Sequence, residues 1–291
     1  MTLVQKQTFV TLAEAKVCLK KMFRRKLFVT QNSNTIILNK NNLQKFSFKN
    51  QIRLWNLDLD KKFIKKMFGV KMHLGHQTRN RHPNMEPYIR GKREDFHIIN
   101  LVHTLFCLQQ VSRFLILASS KGKKILFVGT QKQATGWVEK AAKSCDSYFV
   151  NQKWLGGTLT NWQKIKKSLV RFNYLQNLEQ HEGVEKLPKK KIASYKREKE
   201  RLAKHIGGLQ SMIAIPDIII IVGQSQELNA VRECQKLGIK TIMVVDTDCN
   251  PLLADFVIPS NDDSMRSVSL ILTKLVLSIR LGQRKLQKKK K

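Results

Sequence analysis

The sequence predicts an α/β fold in which helices cover both faces of a parallel sheet and a helical hairpin interrupts the sheet domain. Short apolar runs such as 125–128 and 218–222 alternate with segments of helical spacing, which is typical of buried parallel strands. Hydrophobic residues make up 42% of the 291-residue chain, enough for a substantial core. Glycine pairs on either side of 158–206 mark the interruption.

The sheet elements follow one another along the chain. Strands are predicted at 97–101, 124–129, 148–150, 217–223 and 241–246. The spacing of apolar residues predicts helices after the first strand, after the second strand up to about Lys143, between the last two strands, and from Ser264 to about Arg280.

Residues 158–206 break this alternation and predict an antiparallel helical hairpin. The first helix carries apolar residues three or four positions apart: Trp162, Ile165, Leu169 and Phe172. Paired glycines at 156–157 and 207–208 allow the sharp turns by which an insertion leaves and rejoins a domain. Because every predicted strand lies outside the hairpin, we expect that it can be removed without loss of the core.

The chain therefore divides into a basic extension, an α/β core, a hairpin and a basic tail. The extension lacks sustained periodicity, and Glu14 is the single acidic residue among its first 30. This composition is compatible with a transit peptide, and the sequence does not decide whether such a peptide is cleaved. The predicted boundaries are 1–66 for the extension, 67–157 and 207–281 for the core, 158–206 for the hairpin and 282–291 for the tail.

The charge of the chain is strongly positive and unevenly distributed. Its 54 Lys and Arg against 21 Asp and Glu give a formal net charge of +33. Residues 1–66 hold 15 basic and 3 acidic side chains (+12) and residues 151–206 hold 14 and 5 (+9), whereas residues 207–281 hold 6 and 8 (−2). Such an excess calls for a polyanionic partner, most commonly nucleic acid, with an anionic membrane surface as the alternative.

Cysteine usage and hydropathy limit the class of protein further. The five cysteines are far apart and form no C-x-x-C pair, so a disulfide framework or a cysteine zinc site is poorly supported. We expect buried thiols in a reducing compartment. No apolar run approaches the length of a bilayer-spanning helix, so we expect a soluble protein with no membrane partner.

An enzyme with a Rossmann-like sheet, such as an RNA-modifying methyltransferase, is the main functional alternative. A dinucleotide-type site needs G-x-G-x-x-G directly after a strand, because the phosphates approach the backbone closely. The strand ends at 128–132 and 222–226 each carry one glycine, with bulky polar residues where the others should be. We therefore expect no catalytic residues and no cofactor.

Two patterns of candidate metal ligands are weak. His73 and His76 form H-x-x-H with His82 further on, but no carboxylate lies at a typical ligand offset and nearby arginines would repel a cation. The stretch 246–263 holds five acidic residues and no basic one, which a Mg²⁺ site or a catalytic carboxylate pair could explain. Helix capping, or a surface kept away from RNA or offered to a basic protein, accounts for it better. We expect no metal.

Clusters of basic side chains are the candidate RNA-binding residues. The irregular segment 75–93 combines guanidinium groups with Pro83 and Pro87, which stiffen it for docking onto phosphates; a merely solvated charged loop is the alternative. A further cluster lines the exposed side of the first hairpin helix, and another stands at the start of the second. The candidates are Arg79, Arg81, Arg90, Lys92, Arg93, Lys153, Lys164, Lys166, Lys167, Arg171, Lys189, Lys190 and Lys191.

Several blocks resemble the signature of the ribosomal protein S2 family, in the family's order, across about residues 55–281. They include 75–79 (GHQTR), 87–89 (PYI), 97–99 (HII), 124–130 (KILFVGT), 151–157 (NQKWLGG), 207–208 (GG), 237–239 (LGI), 246–247 (DT) and 258–263 (IPSNDD). Departures from the usual signature occur at Asn80, Arg81, His82 and Asn84, although the positive charge of that loop survives.

The resemblance implies a flavodoxin-like α/β sandwich with an inserted hairpin and no catalysis. It implies binding to small-subunit ribosomal RNA near the head–body junction and to neighbouring small-subunit proteins. In bacteria the family helps dock the large OB-repeat protein that captures messenger RNA; whether this chain does so is open. The blocks 231–234 and 270–276 look most like plastid members, so a plastid (chloroplast) ribosome is expected, with the mitochondrial ribosome second.

Overall fold

Residues 57–180 and 188–290 are described by the computed structural model, so most of the predicted basic extension lies outside the described residues. The described helices are α1 (Leu57–Gly69), α2 (Leu101–Ser120), α3 (Lys132–Ser144), α4 (Trp162–Gln180), α5 (Lys189–Ile206), α6 (Leu228–Leu237) and α7 (Met265–Lys290). The described strands are β1 (Leu74–Gln77), β2 (Ile89–Arg93), β3 (Phe96–Ile99), β4 (Ile125–Val128), β5 (Tyr148–Val150), β6 (Ile218–Val222), β7 (Lys240–Val245) and β8 (Phe256–Pro259). Short 3-10 helices occur at Thr78–Asn80, Pro83–Tyr88, Gly207–Leu209 and Pro251–Leu253.

Five strands form a parallel sheet in the order β5-β4-β6-β7-β8. All five residues of the central strand β6 are buried, and Ile220 lies opposite Phe127 on one side and Ile242 on the other. β-Branched side chains suit a strand that is covered on both faces. The predicted parallel α/β sheet is confirmed, and β8 is an edge strand that the sequence analysis does not predict.

Helices cover both faces of the sheet. On one face, α2 and α7 pack against each other, and α3 contacts α7 and β4. Gly282 of α7 approaches α2 so closely that a Cβ there would lie 2.5 Å from the carbonyl oxygen of Ile116. On the other face, side chains such as Leu126 and Ile219 join residues of α6 and of the hairpin in one buried cluster.

The base of the hairpin is part of the core. Helices α4 and α5 contact each other as predicted. However, Ile165, Leu169 and Phe172 of α4 are at most 8% exposed, Ile206 of α5 is 2% exposed, and all four lie in the buried cluster on the sheet. Because this apolar stripe packs on the sheet, we expect that removing the hairpin disrupts the core, the opposite of the expectation from the sequence.

The final helix continues to Lys290 and does not end near Arg280, so the predicted basic tail is helical as far as it is described. Gln283 donates a hydrogen bond from Nε2 to the carbonyl oxygen of Cys145 at 2.7 Å. The packing of Gly282 against α2 carries the helix past the glycine, and the Gln, Arg, Lys and Leu residues that follow are good helix formers.

Strands β1, β3 and β2 form a separate antiparallel sheet in that order. Only β3 is predicted from the sequence, which indicates an irregular segment at 75–93. The prediction of β3 as a strand of the parallel sheet is wrong, because β3 pairs antiparallel with β1 and β2. Four of the five residues of β2 are exposed, so this strand has no alternating pattern to detect. Pairing with β3, together with a bond from the amide nitrogen of Ile99 to the carbonyl oxygen of His73 at 2.8 Å, orders the segment.

Helix α2 is long and apolar enough to cross a membrane by length and composition, with a mean hydropathy of 1.4. The expectation that no apolar run approaches that length is therefore wrong. Half of this stretch is buried inside the protein, where Leu108 and Leu115 are at most 1% exposed and the helix contacts α7 and β8. This packing explains why α2 is so apolar: it is a helix of the protein core.

The cysteines of the described residues are buried and outside any disulfide, as predicted; Cys18 is not among them. These four are Cys107, Cys145, Cys234 and Cys249. Burial raises the pKa of Cys145 to about 11 and that of Cys234 to about 12. Both thiols therefore stay protonated near neutral pH and pack as small apolar side chains.

Candidate nucleic-acid interface

A turn after β1 presents Arg79 and Arg81 to solvent. Thr247, which follows β7, anchors this turn on the large sheet. The hydroxyl of Thr247 accepts from the amide nitrogen of His76 at 2.9 Å, and its carbonyl oxygen accepts from the amide nitrogen of His82 at 2.9 Å. Both guanidinium groups therefore project from a backbone of fixed position, as docking onto phosphates requires.

Strand β2 presents three further predicted residues, Arg90, Lys92 and Arg93, all of them exposed. Arg93 lies 3.9 Å from Glu94, but both side chains are more than three-quarters exposed, so solvent screens this pair strongly. The turn and the strand belong to one small sheet. We call their five basic residues the sheet patch: Arg79, Arg81, Arg90, Lys92 and Arg93.

The remaining lysines lie on the hairpin and on the segment before it. Lys153 is exposed between β5 and α4, and exposed lysines stand at the first turns of both hairpin helices: Lys164, Lys166, Lys167, Lys189, Lys190 and Lys191. The 19 residues of α4 separate its two ends by about 28 Å at 1.5 Å per residue. Because α5 starts near the end of α4, the hairpin lysines form two separate groups.

Arg171 differs from the other candidates because a bidentate carboxylate and two aromatic rings contact its guanidinium. Its Nε and one terminal nitrogen donate to the two carboxylate oxygens of Glu198 at 3.2 and 2.9 Å. The rings of Tyr174 and Tyr195 each lie 5.5 Å from the guanidinium carbon. The hydrogen bond to Glu198 raises the pKa of Arg171. The geometry gives Arg171 a part in joining α4 to α5.

A buried carboxylate that the sequence analysis does not single out holds the segment between β5 and α4. Glu233 of α6 is 8% exposed and accepts from Nε1 of Trp154 at 3.0 Å. It also accepts from the amide nitrogens of Gly157 at 2.8 Å, Leu159 at 2.9 Å and Thr160 at 3.1 Å, and from the Thr160 hydroxyl at 3.3 Å. Burial opposes the charged form, but these donors outweigh it and hold the pKa of Glu233 below its usual value.

Replacing Glu233 with Gln is expected to lower the free energy of unfolding by about 2–4 kcal/mol at neutral pH, because the single amide oxygen cannot accept from all of these donors and the amide NH₂ would face donors. Since the pKa of Glu233 is depressed in the folded protein, its stabilisation is present above the ordinary carboxyl pKa of 4.5 and is lost as pH falls through the lower folded value. Urea unfolding of both proteins between roughly pH 3 and pH 7 measures this difference. Equal stability at neutral pH would contradict the role given to Glu233.

The carboxyl edge of the large sheet gathers acidic residues around His76. Its Nδ1 lies 3.4 Å from Asp246 and 3.9 Å from Asp248, and its Nε2 lies 3.5 Å from Asp263. The neighbouring Asp246 carboxylate raises the pKa of His76 to about 9, and burial raises the pKa of Asp262 to about 8. No typical spacing in sequence links this histidine to a carboxylate. Folding brings them together because β1 and the turn after β7 meet at one edge.

The carboxyl ends of β4 and β6, where Rossmann-like sheets take nucleotides, are filled by protein side chains. Gly223 has a φ of +83°, and a Cβ there would lie 2.6 Å from Cδ of Gln131. One carboxylate oxygen of Glu227 accepts from the amide nitrogen of Thr130 at 2.9 Å. Gln131 and Glu227 are 7% and 1% exposed. These side chains stand where phosphates would approach the backbone.

The family model described as Ribosomal protein S2 matches residues 67–282, more than half of the chain. The chain belongs to the ribosomal protein S2 family. The small ribosomal subunit protein uS2c of Oltmannsiellopsis viridis is 48% identical over 226 residues, covering 78% of this chain and 95% of the relative. The protein of the same name from Mesostigma viride is 46% identical over 221 residues, 76% of this chain and 97% of the relative. The small ribosomal subunit protein uS2 of Picosynechococcus sp. is 44% identical over 212 residues, covering 73% of this chain and 83% of the relative.

The positions at which this S2-family chain departs from the signature make contacts of their own. Nδ1 of His82 accepts from the amide nitrogen of Asn84 at 3.2 Å, and Nδ2 of Asn84 donates to Oδ1 of Asn250 at 3.1 Å. Asn80 and Arg81 are exposed. The departures thus leave the turn anchored beside β7, and Arg81 keeps a positive charge on its outer side.

Proposed function

We propose that this protein is a structural constituent of the small subunit of a plastid ribosome, where it binds ribosomal RNA and supports subunit assembly and translation. The observation that carries the proposal is the S2 family match over residues 67–282. Relatives named as small ribosomal subunit proteins, 44–48% identical over about three-quarters of the chain, support it. Its neighbours would be other small-subunit proteins, including the OB-repeat protein that captures messenger RNA.

The distribution of charge supports RNA binding through the phosphate backbone. The sheet patch and the hairpin lysines are exposed, and the chain carries a net charge of +33. No described element presents a recognised base-reading motif, so affinity depends on charge and shape more than on base identity. Ribosomal RNA, whose phosphates are held in a fixed fold, suits a surface of this kind.

A plastid location is supported by relatives named uS2c from Oltmannsiellopsis viridis, Mesostigma viride and Porphyra purpurea, which are 44–48% identical to this chain. The mitochondrial ribosome is the alternative. Residues 1–56, which would carry any targeting signal, lie outside the described part of the chain.

Sedimentation of the full-length tagged protein tests both parts of the proposal. In parallel extracts of purified plastids and purified mitochondria, we expect the tag to comigrate with small ribosomal subunits on the sucrose gradient of the plastid extract only. The tag should move to the top of the gradient after ribonuclease treatment. A tag that stays at the top in untreated extract would overturn the ribosomal role, and comigration with mitochondrial small subunits alone would overturn the plastid location.

Titration calorimetry separates the structural role from the methyltransferase alternative. We expect no heat beyond dilution with NAD, S-adenosylmethionine or ATP, because Gln131 and Glu227 fill the edge at which such ligands bind. A known methyltransferase titrated under the same conditions serves as the positive control. Micromolar binding of any one of the three compounds would favour the enzyme.

A further inference from the structure

We propose that Phe96 is a stacking platform for an unpaired base of the bound RNA, an inference that rests on the proposed binding to ribosomal RNA. Phe96 is the first residue of β3, the central strand of the small sheet, and is 44% exposed. Single exposed apolar side chains are common on protein surfaces, so this exposure alone indicates no function. The residues around Phe96 carry the argument.

The alternation of side chains along β3 places the Phe96 ring on the outer face of the small sheet. Successive side chains of a strand point to opposite faces. His97 and Ile99 are 8% and 1% exposed, so they face the core, and Phe96 and Ile98 lie on the other face. Gly91 of β2 is paired with Ile98, and a Cβ at Gly91 would meet no atom within 4 Å beyond its chain neighbours. The surface beside the ring is therefore open to a planar ligand.

Both neighbouring strands bring a guanidinium group to the side of Phe96. Gln77 of β1 and Arg93 of β2 are the residues directly opposite Phe96. Directly opposed residues of an antiparallel pair share a face, and their Cβ atoms are about 4.5–5.5 Å apart. Oε1 of Gln77 accepts a hydrogen bond from Nε of Arg79 at 2.9 Å, which holds the second guanidinium on that side. Two basic residues of the sheet patch therefore flank the exposed ring.

The charges and the ring together favour a nucleotide as the ligand. A nucleotide joins a flat base to an anionic phosphate, so a base stacked on Phe96 leaves its phosphates to Arg79 and Arg93. The exposed acids Glu94 and Asp95 form the turn between β2 and β3 and repel phosphates from that end. A base within a duplex already stacks on its neighbours, so the ligand is an unpaired base of a loop or bulge.

The test measures filter binding of the full-length protein to small-subunit ribosomal RNA across a salt series, with three variants of Phe96. We expect Phe96→Ala to weaken binding about 5- to 100-fold at every salt concentration, because the loss of one stacked base has an effect of this size. The slope of log affinity against log salt should stay unchanged, since no phosphate contact is removed. Phe96→Leu keeps an apolar side chain without a ring and should bind weakly, whereas Phe96→Tyr should bind as the unmodified protein does.

Leu117→Ala is the matched control, because this exposed apolar side chain lies on α2, outside the sheet patch. Thermal unfolding should change little in all four variants, since the replaced side chains are exposed. Phe96→Leu keeps the apolar contacts of the strand, so it tests stacking even if Phe96→Ala is less stable.

The possible results separate this inference from the proposed function. If the unmodified protein binds the RNA and Phe96→Ala binds equally well, or Phe96→Leu binds as well as Phe96→Tyr, the stacking platform is wrong and RNA binding stands. An equal loss of affinity in Leu117→Ala would also overturn the platform. A Phe96→Ala protein that binds free RNA normally but no longer enters small subunits would assign the ring to a protein neighbour instead. Failure of the unmodified protein to bind the RNA would overturn the proposed function together with the platform.

Discussion

Replacing residues 158–206 with a short Gly/Ser linker is expected to abolish cooperative unfolding of the protein. Six large apolar side chains of this segment are at most 8% exposed: Leu159, Ile165, Leu169, Phe172, Leu175 and Ile206. Loss of a large core side chain typically costs about 2–5 kcal/mol, so six such losses amount to at least roughly 12 kcal/mol. That sum is comparable to the whole stability of a domain, about 5–15 kcal/mol.

A shorter deletion provides the control for this experiment. Replacing only residues 177–193 removes the far end of the hairpin, including Lys189, Lys190 and Lys191, but retains all six buried side chains. We expect this variant to keep a cooperative thermal transition by circular dichroism. A cooperative transition in the full deletion as well would show that the sheet does not need the hairpin to cover it.

Neutralising the sheet patch is expected to weaken binding to small-subunit ribosomal RNA by at least about 100-fold near 100 mM salt. The variant replaces all five basic residues with Gln. Each phosphate contact contributes close to one unit to the slope of log affinity against log salt, so the slope should become shallower by up to about five units. Filter binding across a salt series measures both quantities, and thermal unfolding should change little because the side chains are exposed.

The matched control neutralises five exposed basic residues outside the candidate surface. These are Arg113, Lys121, Lys132, Arg232 and Lys236. The control removes the same formal charge, so any effect of net charge alone appears in both variants. An equal loss of affinity in the two would contradict a specific sheet patch and would indicate that the whole charged surface binds RNA without preference.

Local sequence predicts those strands whose burial leaves a continuous run of apolar residues. Strands β4 and β6 and residues 242–245 of β7 are continuous apolar runs, and short runs of this kind between helical segments are typical of strands buried on both faces. Strands β1 and β2 have no such pattern. They form strands because they pair with β3, and local sequence does not reveal that pairing. The sequence predicts the apolar stripe of α4, but a stripe does not reveal whether it packs on a second helix or on a sheet.

Some features of the candidate RNA-binding surface can be predicted from the sequence, and others cannot. Exposure of the sheet patch was predictable, since charged side chains seldom lie buried without a partner. The pairing of Arg171 with Glu198 and the contact of His76 with Asp246 join residues 27 and 170 positions apart, and spacing within one element does not report them. The sequence therefore indicates which charged side chains are exposed to solvent. It does not indicate which of them already pair with another residue of the protein.

The position of Glu233 has a consequence for how the chain folds during its synthesis. The groups that Glu233 accepts from lie 73–79 residues earlier in the chain. At about 5–20 residues per second, those groups leave the synthesising ribosome about 4–16 s before their acceptor does. During this interval Trp154 and the start of α4 lack the carboxylate that closes the loop, and β4 lacks its neighbour β6. The first half of the protein therefore cannot complete its fold until the second half has been synthesised.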